Sequence, residues 1–412
     1  MPKHTSRRPR IAFLTSTDPK DRRSWSGLHR MLGHTLEEHV GDVDYLGPVS
    51  LRYLFALGDR LNRVIGWLTG GKRYHYSTSV LVSWLYAALF WFKLRRKRYD
   101  FIFAPAAYTE FAFLRTNLPI VYCADSTLAQ LIGYYDGMSA LLPISKKELN
   151  YIEQRAINKA SLLLYSSQWA AQSAKDTFGA PERMVEVVPF GANLTQIPDR
   201  QTVLQHTKTS RCELLFVGVE WKRKGGEIAV ETLAELSRLQ VDAHLTICGC
   251  VPPPELIHNM QDKLTVIPFL DKNDPVQLQR LNALYEAADF FILPTRAECA
   301  AIAFCEASAF GVPSFTTETG GIADFVVNNE NGYRLSLSAR GHDYAQAIKR
   351  VWDDDALYYS LREKSRNLYE QRLNWDAWGR QVRRVLHAHF ASAFYNPRIT
   401  VPIRRARYQT AS

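Results

Sequence analysis

Two successive α/β units, each built on a parallel sheet, are what this 412-residue sequence predicts, on three observations. Short apolar strands alternate with helical patterns along most of the chain. The stretch at 195–210, TQIPDRQTVLQHTKTS, is polar and without periodicity. Beyond it the alternation restarts with a new strand at 213–217. At about 150 residues per domain, the length fits two large domains or three small ones. Hydrophobic residues make up 46% and charged residues 22%, which argues against a disordered, collagen-like or coiled-coil chain. A core of this size needs no disulfide or metal staple.

The first unit opens with a strand at 10–14, a polar loop carrying Trp25, Ser26 and Gly27, a helix from Leu28 toward His39, and a second strand at 42–47. Strand, glycine-bearing loop, helix and strand is how a doubly wound sheet begins. Further strands are expected at 99–103, 120–123, 161–165 and 185–188, with helices at 145–158 and 168–177 among them. Residues 74–92 carry no Lys, Arg, Asp or Glu, and a cationic run follows at once from Lys93 to Arg98. The strongly apolar part, from Val80 to Phe92, has the length of a buried or interfacial helix and is short for a membrane span. Its basic end complements a helix C-terminus. Core helix and membrane-surface helix both remain open for this segment.

The second unit continues with strands at 243–248, 264–267, 290–293 and 314–317, and helices at 227–239, 275–287 and 302–310. Helical patterns at 343–352, 356–371 and 375–394 close the chain. The expected organisation is therefore a first domain at 1–195, a linker at 196–210, a second domain at 211–374, a terminal helix at 375–395 and a basic tail at 396–412. No internal repeat of solenoid or propeller length is present.

The net charge of +10 is uneven: residues 1–200 hold 26 Lys and Arg against 17 Asp and Glu, and the remainder 25 against 24. Residues 51–100 alone hold ten basic and two acidic side chains. Such a surface suits an acidic partner (anionic lipid, nucleic acid or a phosphorylated substrate) or is a solvated face. The six cysteines lie mostly in apolar runs with no CxxC or Cys/His cluster, which reads as buried thiols in a reducing compartment. Residues 1–18 have the charge of a signal peptide without its apolar stretch, so a cytoplasmic location is expected.

Three loops of the second unit would line a cleft at the carboxyl ends of the strands, where helix N-termini and loop amides meet anionic groups. The loop at 218–226 combines glycines with Lys222, Arg223 and Lys224, which can neutralise a diphosphate, but its spacing is not that of a Walker A loop. The loop after 293 places Glu298 and Glu306 on either side of seven uncharged residues, with a helix starting near Ile302. A phosphate could rest on that helix N-terminus while the carboxylates accept hydrogen bonds from sugar hydroxyls. The third loop, at 319–321, offers free backbone N–H groups or is a plain turn.

In order, the strand–Gly218–basic loop–Lys224-Gly225-Gly226, the Glu298-x7-Glu306, Gly311-Val312-Pro313, Gly320-Gly321 and Asn331-Gly332 resemble the retaining GT-B glycosyltransferases of family four. Val188-Pro-Phe-Gly-Ala-Asn193 falls where that family carries its Pro-Asn-Gly-Val-type segment. The resemblance implies two Rossmann-like domains facing across a cleft, with a helix from Trp375 returning to the first. It also implies a nucleotide-diphosphate sugar as co-substrate, with no cofactor and no essential metal; no DxD motif is present to hold one. Carried over, Lys224 meets the diphosphate beside Gly218, Glu306 the ribose hydroxyls, and Glu298 the transferred sugar. Amides around Ala301, Ile302 and Ala303 would bind phosphate, Phe269 and Leu270 would line the base, and Trp25-Ser26-Gly27 would face donor and acceptor.

The sequence also departs from the family pattern. Val219 follows Gly218 where a Gly-Arg pair is frequent, so Arg223 or Lys222 must supply the second charge. Cys299-Ala-Ala301 stands where Gly-Phe-Gly is common. Asp125 occupies the stretch where many members have a histidine near the reacting sugar, and is either a catalytic residue or the cap of the following helix. The expected function is retaining sugar transfer to a hydroxyl of a glycan or lipid-linked acceptor. Peripheral contact with an anionic membrane between Val80 and Arg98 accompanies it, with no specific nucleic acid. The alternative is a non-catalytic sugar-nucleotide-binding or nucleic-acid-binding protein of the same fold.

Overall fold

A computed structural model describes residues 8–21, 24–257, 260–300 and 302–390. In the first half, β1 (Arg10–Phe13), β2 (Asp42–Tyr45), β3 (Phe101–Pro105), β4 (Ile120–Ala124), β5 (Leu162–Tyr165) and β6 (Val185–Val187) form a sheet in the order β2-β1-β3-β4-β5-β6. In the second, β7 (Cys212–Val217), β8 (Ala243–Cys248), β9 (Leu264–Ile267), β10 (Phe290–Leu293), β11 (Ser314–Thr317) and β12 (Gly332–Leu335) run in the order β12-β11-β10-β7-β8-β9. Every pairing in both sheets is parallel. Strands β3, β4, β5 and β10 are buried along their whole length, as their near-continuous apolar runs require when helices cover both faces. The strand order reverses between β1 and β3 and between β7 and β10, and crevices at such reversals, outside the strands' carboxyl ends, take ligands in open α/β sheets.

The linker region is not a free tether. It contains a helical turn, Arg200–Leu204, capped by Asp199, and Arg200 binds Glu370 at 2.6 Å and Asn367 at 2.7 Å on the helix Asp355–Gln371. The strand β12 and the helix Arg52–Leu68 are among the elements that were not expected. The segment after Val80 forms the helix Val80–Leu94, whose two sides differ. Val82, Tyr86, Ala87 and Phe90 enter the core, while Leu81, Trp84, Leu85 and Phe92 are exposed. Among the described residues no helix is long and apolar enough to cross a membrane. All six cysteines are free and buried.

The helix Trp375–His389 packs on the first half. Trp378 stands edge-on to Phe103 of β3 at 6.3 Å, and Gln381 donates to the Val187 carbonyl of β6 at 3.1 Å. Asn374 starts this helix: its Oδ1 accepts from Ala377 N at 2.8 Å and its Nδ2 donates to the Tyr369 carbonyl at 2.6 Å. Asn374→Ala should therefore cost about 1–2 kcal/mol, read as a lower urea midpoint with an unchanged slope. An unchanged midpoint would show that the cap is dispensable. The predicted end of this helix past residue 390 and the basic tail lie outside the described residues.

Candidate active site

The basic loop after β7 becomes one helical turn, Trp221–Lys224, stopped by Gly225 in the left-handed conformation at φ 76°. A Cβ at Gly225 would run into the Pro294 carbonyl oxygen, so glycine is what allows this turn to lie against the end of β10. The approach brings two cations onto one carboxylate. Lys224 Nζ pairs with Glu298 Oε2, and Arg223 Nη1 stands 3.5 Å from the same oxygen while donating to the Ala297 carbonyl at 2.9 Å. Lys222 is exposed and outside the cleft lining, so of the two only Arg223 faces Glu298 and the cleft. Glu298 is buried against these two cations, and removing both would leave its carboxylate unpaired in the interior.

The loop carrying Glu298 is pinned from both halves of the molecule. Its backbone N donates to the Tyr134 hydroxyl at 2.9 Å, and Cys299 N donates to the Tyr135 hydroxyl at 3.2 Å. The Tyr135 ring also lies under the Arg223 guanidinium at 4.9 Å. Gly321 N donates to the Glu298 carbonyl at 3.1 Å. The 319–321 loop thus backs the Glu298 segment instead of lining the cleft, and it leads into a short 3-10 turn, Ile322–Asp324. Eight residues on, Glu306 sits in the helix Ile302–Ala309, where Oε1 pairs with Lys272 and Oε2 accepts from Tyr285 at 3.2 Å. Ala301 lies outside the described residues.

From the first half come Trp25, Ser26 and Asp125. Trp25 and Ser26 hold left-handed backbone at φ 46° and 55°, a strained state for non-glycine residues that surrounding contacts must enforce. Asn193 supplies one: its Nδ2 donates to the Ser26 carbonyl at 2.7 Å, and its Oδ1 accepts from Trp375 Nε1 at 3.0 Å. The Trp25 ring packs edge-on against Phe190 at 5.6 Å, and its Nε1 donates to Asp125 Oδ2 at 3.3 Å. The 188–193 segment and the terminal helix thereby position this loop.

Asp125 follows β4 but does not cap the next helix; Thr127 does, in a capping box with Gln130. Burial pushes the Asp125 carboxyl up to about 6, and the negative charge of Glu298 acts in the same direction. Beneath Trp25, burial pulls His29 down to about 4, so it is neutral near pH 7, with Nδ1 at 3.0 Å from Thr17 Oγ1.

These groups surround one cleft of about 590 Å³. Trp25, Ser26, Asp125, Gly218, Arg223, Lys224, Phe269, Leu270, Glu298, Ile302, Ala303 and Glu306 all line it, whereas Gly27 lines a small adjoining pocket. Phe269 is 56% exposed and offers an open aromatic face; Leu270 beside it is buried. Lys272, Tyr134 and Tyr135 were missed by sequence reasoning. Lys272 was within reach, two residues past the Phe269-Leu270 pair, but the tyrosine pair carries no spacing signal that ties it to Glu298. The cleft thus offers two cations and a helix N-terminus for an anion, acceptors for hydroxyls, and an aromatic face for a planar ring.

Residues 211–354 match the family model described as Glycosyl transferases group 1. The chain is 29% identical over 289 residues to the D-inositol 3-phosphate glycosyltransferase of Corynebacterium aurimucosum, covering 65% of this chain and 66% of that protein. It thus spans just under two thirds of the length of this relative. Sucrose-phosphate synthase from Thermosynechococcus elongatus superposes with a TM-score of 0.62 at 17% identity, over 94% of this chain and 100% of its own. A lipopolysaccharide outer core galactosyltransferase does so with 0.63 at 13% identity, over 92% and 99%. The likeness to these two structures is one of fold.

Proposed function

We propose that this chain, which has the GT-B fold and whose residues 211–354 match the group 1 glycosyl transferase model, is a family-four-type enzyme that moves a sugar from a nucleotide-diphosphate sugar to a hydroxyl of a glycan or lipid-linked acceptor, with retention. The observation that carries this reading is the convergence of Lys224, Arg223, Glu298 and Glu306 in one cleft faced by Trp25 and Asp125. A diphosphate entering beside Glu298 takes over Lys224 and Arg223 as partners, and the N-terminus of the Ile302–Ala309 helix adds its dipole. Charge on the departing diphosphate is then met by side chains and backbone, with no metal required, and this electrostatic stabilisation is the main catalytic effect. Glu306 accepts from the ribose hydroxyls. Glu298, released from Lys224, stabilises positive charge at the anomeric carbon as that carbon's bond to the diphosphate oxygen breaks, and the acceptor hydroxyl attacks from the face the diphosphate leaves, passing its proton to the departing diphosphate oxygen.

A thermal-shift panel of UDP-, GDP- and ADP-sugars tests the donor site. A ligand at about a hundred times its dissociation constant stabilises the fold by about 2.7 kcal/mol. One nucleotide series should raise the midpoint, and Glu306→Ala and Lys224→Ala should each abolish the rise. A folded protein that responds to no donor would overturn the assignment.

A further inference from the structure

We propose that the helices Arg52–Leu68 and Val80–Leu94 dock this chain on an anionic bilayer surface, an assignment independent of the transfer reading. In the first helix, Gly58 is the one fully buried residue of seventeen. Tyr53, Leu57, Leu61, Val64 and Leu68 follow the spacing of a single helical stripe, and all are more than half exposed. Trp67, beside the stripe, is 84% exposed. An amphipathic helix ordinarily turns such a stripe to the core. Here the opposite face is anchored instead: Phe55 packs on Tyr76 at 5.9 Å, Asp59 accepts from the Tyr76 hydroxyl at 2.5 Å, and Asn62 exchanges two hydrogen bonds with the Tyr74 backbone at 2.8 Å. The orientation is therefore set by contacts, and it leaves the apolar side outward.

The second helix repeats the arrangement. Leu81, Trp84, Leu85, Leu89 and Phe92 share its outer side, and the Trp84 ring stacks on Phe113 at 5.0 Å. Eleven of the 22 exposed large hydrophobic side chains among the described residues fall between 53 and 92, a concentration that marks an interaction surface.

Charge selects the occupant. Arg52, Arg60 and Arg63 are exposed on the first helix, Arg60 within one turn of both Leu57 and Val64, and Arg95 to Arg98 end the second. The two acids of residues 51–100 are engaged elsewhere, Asp59 with Tyr76 and Asp100 with the Arg10 amide at 2.6 Å. A second copy seated on this face would set the exposed Arg52, Arg60, Arg63, Arg95, Arg96 and Arg98 against the same six cations. Phosphate headgroups would neutralise the arginines while the leucines and tryptophans enter the acyl boundary. Sequence alone drew attention to the segment from Val80 to Arg98; the structure adds Arg52–Leu68, whose apolar side is the more exposed.

Flotation of the full chain with vesicles of phosphatidylcholine, or of phosphatidylcholine mixed with phosphatidylglycerol, tests this. The chain should float with the mixed vesicles at low salt and be released at high salt. Because each arginine near an anionic surface contributes about fivefold, the triple change Arg52→Glu, Arg60→Glu and Arg63→Glu should weaken binding by about a hundredfold or more. Leu57→Ser with Leu61→Ser and Trp67→Ser should weaken it by at least about tenfold through lost apolar burial. Trp67→Ser alone keeps the test open if the apolar triple variant unfolds early. Wild-type protein that stays unbound at low salt, or binding equal in wild type and both variants, would overturn the proposal. So would a dimer in sedimentation that the apolar variant converts to monomer, which would make the occupant a second copy.

Discussion

Lys224→Ala is expected to lower kcat/KM by about a hundred- to a thousandfold, the usual loss when one donor to developing negative charge is removed from a closed site. Lys224 Nζ is bound to Glu298 Oε2, and on the proposed reading an incoming diphosphate takes the ammonium from that oxygen. Removing the ammonium does not strand Glu298, because Arg223 Nη1 remains 3.5 Å away. The loss should therefore fall on turnover and donor affinity, with thermal stability little changed. Lys224→Arg should not restore activity. The lysine stem packs so closely on Gly218 that a Cβ there would lie 3.0 Å from Lys224 Cγ, and a forked guanidinium does not occupy the place of a compact ammonium. Steady-state kinetics with the donor found in the thermal-shift panel decide the matter. Activity of Lys224→Ala within a few-fold of wild type would show that Arg223 and the helix N-terminus suffice.

Legibility in the sequence followed burial. Strands such as Phe101–Pro105 and Leu162–Tyr165 are buried on both faces, so each reads as an apolar run whatever its neighbours are. The spacing of Glu298 and Glu306 was visible because both lie on one loop-to-helix segment. Their partners were not. Glu306 meets Lys272 across 34 residues and Glu298 meets Tyr134 across 164, pairings that only the tertiary fold brings about. The helix Arg52–Leu68 escaped notice because its apolar stripe alternates with arginines and its inner face holds Gly58 and Asn62, so neither face has the composition of a core. Asp125 stood in the segment that merited attention, but its two readings could be separated only by seeing Thr127 take the cap and Trp25 reach over from a loop a hundred residues away.

Asp125→Asn should stabilise the fold near neutral pH and impair activity, in opposite directions from one substitution. Burial raises the Asp125 carboxyl to about 6, Glu298 adds to the rise, and the hydrogen bonds from Trp25 and Ser126 oppose it. The folded chain therefore holds this proton more tightly than the unfolded chain, whose carboxyl titrates near 3.8. The stability that results is fully present below about pH 4 and is lost as pH rises through about 6. Above that, the fold carries a charge in a poorly solvated place at a cost of about 3 kcal/mol, since each pKa unit is worth about 1.4. Asparagine keeps an oxygen acceptor for Trp25 Nε1 and has no charge. The variant's unfolding midpoint should exceed that of wild type near neutrality and converge with it toward about pH 4. Activity should run the other way. On the proposed reaction an ionised Asp125 lining the cleft favours positive charge at the anomeric carbon, so wild-type kcat/KM should rise through about pH 6 and the variant should lack that limb. Parallel midpoint-versus-pH curves for the two proteins would refute the raised carboxyl. A shared rise in activity through about pH 6 would assign the catalytic titration to another group.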